Sequence, residues 1–224
     1  MLEFEYADLM DRPPASVRVA DLPINERGFY DKEKHAIFIN RKFVEFTRED
    51  QIRNDLIEIS NVFASHIILH EGRHAYQYYA IDCPEVHHDQ EEVQRWKENM
   101  DIYFFSLPEY HFQPVEWDAE QFAMKETSRF FQEIKDMYGW DKNYGKYYIW
   151  KTVRKLDLEK MAYKYFDRDI EHTVQFVQDK ISREYQEMKE LKETITDILT
   201  EADQERRELV QQEITRESNQ EERE

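Results

Sequence analysis

The chain has 224 residues, 40% of them hydrophobic and 14% aromatic, and a formal net charge of −18. That charge repels nucleic-acid phosphates and anionic lipid surfaces, so neither is expected as a partner. A single cysteine, Cys83, excludes an internal disulfide framework. No stretch approaches the ~18 apolar residues of a membrane span, and the acidic start lacks the basic-then-apolar order of a secretory signal, so a cytoplasmic location is expected.

Residues 1–30 read as irregular or weakly stranded, with Pro13, Pro14 and Pro23 as breakers and Ser16–Val19 as a short strand. His35–Asn40 is a stronger strand candidate, rich in branched and aromatic residues. A long helix is expected from Thr47, which can cap it, with Glu49 and Asp50 in a first turn that favours negative charge. Ile52, Leu56, Ile59, Phe63, Ile67 and His70 then recur at three- and four-residue intervals, and His74 continues that face. The next expected helices are Glu91–Asp101, one from Val115 closed by Gly139, and one or more between Tyr144 and Phe166. His87-His88-Asp89 reads as an acidic surface loop, Tyr110-His111-Phe112 as loop between Pro108 and Pro114, and Trp96 as a core anchor. All six prolines lie at or before Pro114, and there are only four glycines, which suits a mainly helical chain.

From Val174 the pattern changes. Val174, Ile181, Met188, Ile195, Ala202 and Leu209 lie seven apart, and Val177, Leu191 and Ile198 follow members of that series by three. This heptad pattern, interrupted by Glu184 and Glu205, predicts a C-terminal helix or coiled coil over 173–217. Its expected partner is a second copy, the body of the same chain or another protein. Residues 218–224 are nearly all polar and are expected to fray. The expected division is therefore 1–172, 173–217 and 218–224.

The chemistry centres on His70-Glu71-Gly72-Arg73-His74. Four residues on a helix put both imidazoles on one face, close enough to share a tetrahedral zinc ion, one per chain. A third protein ligand leaves one position for water. Glu71 then stands beside it as the general base that takes a proton from the metal-bound water. Gly72 weakens the motif helix by roughly 1 kcal/mol relative to alanine. The third ligand is expected from a following helix, where Glu116 and Glu120 share a face one turn apart and Asp118 points away. His66, one turn before His70, is an alternative ligand or a buried neighbour of one. Tyr110 and His111 are candidate donors to an oxyanion, with Tyr144, Tyr147 and Tyr148 behind them. Arg73 and Gln77 read as structural.

The motif followed by a helical glutamate resembles the gluzincin metallopeptidases, and most closely their small cytoplasmic branch, the ImmA/IrrE-like proteins and minigluzincins. That branch has a strand, the HExxH helix and then a segment of the form E-x-E-A-N-x-F-A. Here Ile37–Asn40 precedes the helix, and the segment reads Glu116-x-Asp118-Ala119-Glu120-x-Phe122-Ala123. The resemblance implies a mainly α fold with a small N-terminal β element, that is, an α+β zincin-like core over 1–172. It also implies Glu116 as third ligand, Glu120 orienting a ligand histidine from behind, and a protein or peptide substrate. Glu120 stands where the family has asparagine and the span from His74 to Glu116 is long, so Glu120 remains an alternative ligand. Three functions are compatible with the residues. They are a zinc metallopeptidase, a zinc-stabilised inactive binding or assembly protein acting through its C-terminal helix, and a non-peptidase zinc hydrolase such as an amidase.

Overall fold

Ala36–Asn40 is buried at four of its five positions, as expected of a strand with neighbours on both sides. The computed structural model, which describes residues 2–23, 26–44, 56–139 and 142–221, makes it the centre of a three-stranded sheet of order β1-β3-β2. In that sheet β1 (Ser16–Ala20) pairs with β3 (Ala36–Asn40) in parallel, and β2 (Gly28–Asp31) pairs with it antiparallel. The chain reaches β3 from β2 through a turn in which Asp31 accepts hydrogen bonds from the Lys34 backbone and ammonium, and His35 takes a positive φ of 45°. The sequence predicts β1 and β3 but not β2, a four-residue strand with neither an Asn-Gly nor an Asp-Gly turn signal beside it.

Six α-helices complete the described chain: α1 (Leu2–Leu9), α2 (Leu56–Asp82), α3 (Gln90–Asp101), α4 (Pro114–Tyr138), α5 (Lys142–Phe166) and α6 (Ile170–Glu221). The fold is mainly α with a small N-terminal sheet and a long C-terminal helix. Helix α2 is unbroken over its 27 residues. The predicted cap at Thr47 lies outside the described residues. Asp89 caps α3 by accepting from the amides of Glu91 and Glu92, and Gly139 closes α4 in the left-handed conformation. Among the described residues, no helix is long and apolar enough to cross a membrane.

Three differences from the sequence reading have clear physical causes. The first turns of the chain form α1 rather than irregular structure, because Tyr6 and Met10 are buried against Leu69, Tyr76, Trp96 and Val115. Glu3 also forms a buried bidentate ion pair with Arg12, at 2.7 and 3.0 Å. His87 is buried rather than a surface-loop residue, held between the Tyr76 hydroxyl at 2.9 Å and Glu92 at 2.8 Å. Glu109–Phe112 forms a 3-10 turn, with Phe112 fully buried against Met124, Leu158 and Val177.

The chain divides into two compact units, Met1–Ile181 and Ser182–Glu224. The boundary falls inside α6, where Val177 and Ile181 are fully buried in the first unit. The helix itself runs through Glu221.

Two glycines let elements approach α2. A Cβ on Gly72 would stand 3.0 Å from both Arg12 Nη2 and Glu3 Oε2, so the glycine that weakens the motif helix makes room for the buried ion pair. A Cβ on Gly28 would stand 2.6 Å from both Ile67 Cγ2 and the Phe38 carbonyl oxygen. The latter is backbone and cannot swing aside, so Gly28→Ala is expected to destabilise the protein by ~1–3 kcal/mol through overpacking. Chemical denaturation of the variant measures this, and an unchanged midpoint would show that β2 can shift without cost.

Candidate metal centre

Helix α2 carries the motif into the interior of the first unit, facing α4. His70 Nε2 lies 3.2 Å from His74 Nε2. Glu116, in the first turn of α4, brings Oε2 to 3.3 Å from His70 Nε2 and Oε1 to 3.3 Å from His74 Nε2. A tetrahedral zinc ion with bonds of ~2.0–2.1 Å separates its ligand atoms by roughly 3.3–3.4 Å. The two imidazoles and the carboxylate therefore stand at the spacing that one such ion requires.

The hydrogen bonds behind the candidate ligands fix which ring nitrogen of each faces Glu116. Gln77, fully buried, donates its amide to the Val115 carbonyl at 3.0 Å and to Asp118 at 2.7 Å. Its oxygen must then face His74 Nδ1, 2.8 Å away, so Nδ1 carries the proton and Nε2 the lone pair. Asp118 is itself clamped by Arg73 through two bonds of 2.8 and 3.0 Å. On the other side, Glu120 Oε2 lies 3.5 Å from His70 Nδ1, which leaves the His70 lone pair on Nε2. Three acceptors thus converge, an arrangement that needs positive charge at its middle.

The ionisation preferences reflect the negative charge that Glu116 and Glu120 bring to the two imidazoles, which favours a proton where a metal ion would otherwise take the lone pair. Burial alone would lower His70 and His74, but the hydrogen bonds and charge of Glu116 raise both, His70 well above the usual histidine range. Burial would raise Glu116, yet the two imidazoles hold it well below the usual carboxylate range. Burial pushes the Glu71 carboxyl up, against the opposing charges of His70 and His74.

The other candidate residues fall into two groups. Glu120 accepts from His66 Nε2 at 3.2 Å and from Arg154 Nε at 2.8 Å. His66, His70 and Glu120 also come close enough together to hold a metal ion. However, Glu120 is already engaged by a guanidinium, a fixed cation that opposes a second one beside it. His66 is buried next to Trp150, with ring centroids 4.7 Å apart, and burial lowers its pKa despite Glu120. Tyr147 is also buried, its hydroxyl 3.4 Å from His66 Nδ1 and 3.2 Å from the Met124 carbonyl, on the far side of His66 from Glu120. Tyr148 is 62% exposed. The side chain of Tyr144 lies outside the described residues.

His70, Glu71, Glu116 and Glu120 line a cleft of about 640 Å³ with Tyr110, His111, Arg154, Arg27 and Gly28. Arg154 Nη2 stands 3.3 Å from His111 Nδ1. A guanidinium can only donate, so His111 accepts at Nδ1 and carries its proton on Nε2. Burial and the Arg154 charge lower His111 to about 4, so at neutral pH it is an uncharged N–H donor on the cleft wall. The Tyr103 hydroxyl donates to Glu116 Oε1 at 2.6 Å, and Tyr110 also hydrogen-bonds Glu116, with burial raising both phenols far above the ordinary range.

The sequence alone does not mark Gln77, Asp118, Tyr103 or Arg154 as site residues. Gln77, three residues after His74, carries the one local signal, since that spacing shares a helix face. Gln77→Leu is expected to weaken zinc binding by about 10–100-fold by freeing the His74 ring. Chelator competition measures this, and an unchanged affinity would mean that Gln77 does not set the tautomer. Compared with protein-family models, with curated proteins and with solved structures, the chain finds no match.

Proposed function

We propose that the chain is a zinc-dependent hydrolase, a metallopeptidase of gluzincin type acting on protein or peptide in the cytoplasm. The observation that carries this reading is the convergence of His70 Nε2, His74 Nε2 and the Glu116 carboxylate at 3.2–3.3 Å, with each imidazole's other nitrogen facing an acceptor. When bound, zinc supplies Lewis acidity and lowers the pKa of a coordinated water toward ~7.

The remaining roles belong to the protein's own groups. Glu71, buried and with its carboxyl pKa raised by that burial, takes up a proton at its carboxylate and delivers it to a leaving amine. The Nε2–H of His111, kept neutral, donates to negative charge developing on a substrate carbonyl oxygen. Glu120 and Gln77 hold the two imidazoles in one tautomer and orientation. The outer strand β2 contributes Gly28 to the cleft wall.

The test combines metal analysis with a cleavage assay. About one zinc per purified chain is expected, and hydrolysis of a mixed peptide library that stops on chelation and returns with zinc. A purified chain that neither holds zinc nor takes it up would overturn the proposal.

A further inference from the structure

The heptad series in α6 changes its surroundings at the boundary between the two units. Val177 and Ile181 are fully buried and Met188 is half-buried, whereas Leu191, Ile195 and Ile198 are exposed, at 60%, 47% and 59%. Leu199, beside that seam, is 64% exposed. Met188, Leu191, Ile195, Ile198 and Ala202 form five successive a and d layers of one helix face, bounded by Glu184 and Glu205 at the flanking d positions.

The charges beside the seam identify what covers it. With Ile195 at a, the g positions hold Glu187, Thr194 and Glu201, and the e positions hold Lys192, Leu199 and Arg206. In a parallel pair of helices each g residue meets the e residue five further along the partner. Glu187 would then face Lys192, Thr194 would face Leu199, and Glu201 would face Arg206, each contact occurring twice by symmetry. An antiparallel pair sets g beside g and e beside e, bringing glutamate against glutamate and lysine against arginine. We propose that residues 185–207 of α6 form a parallel two-stranded coiled coil with a second copy of this chain, its register fixed by the Glu187–Lys192 and Glu201–Arg206 pairs. The proposal does not rest on the metal centre.

The experiment is sedimentation equilibrium on the full chain over a wide concentration range. The wild-type protein sediments as a reversible dimer. Glu187→Lys/Glu201→Lys makes every charge at these e and g positions positive and raises the dissociation constant by roughly thirtyfold or more, four pairs turning from attractive to repulsive. Lys192→Glu/Arg206→Glu makes them all negative and has the same effect. Mixing the two variants restores a dimer containing one of each, which a pair of misfolded variants cannot do. A wild-type chain that stays monomeric up to its solubility limit overturns the proposal. So does a lysine variant that dimerises as tightly as wild type, since an antiparallel pair is indifferent to that change.

Discussion

Glu71→Gln is expected to retain zinc and to lose hydrolysis by about 10²–10⁴-fold, the range for removing a general acid–base group. The substitution preserves size and hydrogen-bonding capacity at a residue only 8% exposed, so the fold and the ligand trio stay in place. What disappears is a carboxylate whose pKa burial raises above the usual carboxylate range, against the opposing charges of His70 and His74. Zinc content by mass spectrometry and initial rates on the cleaved peptides give the two readouts. If the variant keeps zinc and wild-type activity, Glu71 is not the base. If neither protein hydrolyses anything while both hold zinc, the site is structural, and the alternative of a zinc-stabilised assembly protein takes its place.

Glu116→Gln and Glu120→Gln are expected to part company on metal affinity. The first removes the anionic member of the trio and should weaken zinc binding by more than ~100-fold. The second should cost about 10–100-fold, because it disturbs only the orientation of His70. Glu120 has further duties that a glutamine meets in part, since its oxygen can still accept from Arg154 while His66 loses a charged acceptor. Competition against a chelator of known affinity measures both. The reverse ranking would move the metal to His66, His70 and Glu120, the other group with the required proximity.

Much of this site is legible along the chain because its parts are local. His70 and His74 are four residues apart on a helix whose apolar period is continuous, so their shared face follows from helical geometry alone. Glu116 and Glu120 share a face for the same reason. The heptad series in α6 is local too, and its exposed stretch could be traced before any packing was known.

The tertiary structure decided the contacts between segments distant in sequence. Only α4 packed on α2 makes Gln77, Asp118 and Arg73 the support of His74, because Asp118 comes from 41 residues beyond Gln77. Only α5 brings Arg154 to Glu120 and His111, which sets the His111 tautomer and makes a histidine from a 3-10 turn into a neutral donor. The buried pair of Glu3 and Arg12 explains both the helix at the start of the chain and the glycine inside the motif. The sequence by itself determined the helical faces, the two imidazoles and the choice of two glutamates, since each follows from spacing along one backbone. Which ring nitrogens face Glu116, which residues hold Glu116 and Glu120 in place, and where the body ends within α6 depend on charges and buried surfaces supplied by other segments. Those interactions exist only once the helices have packed.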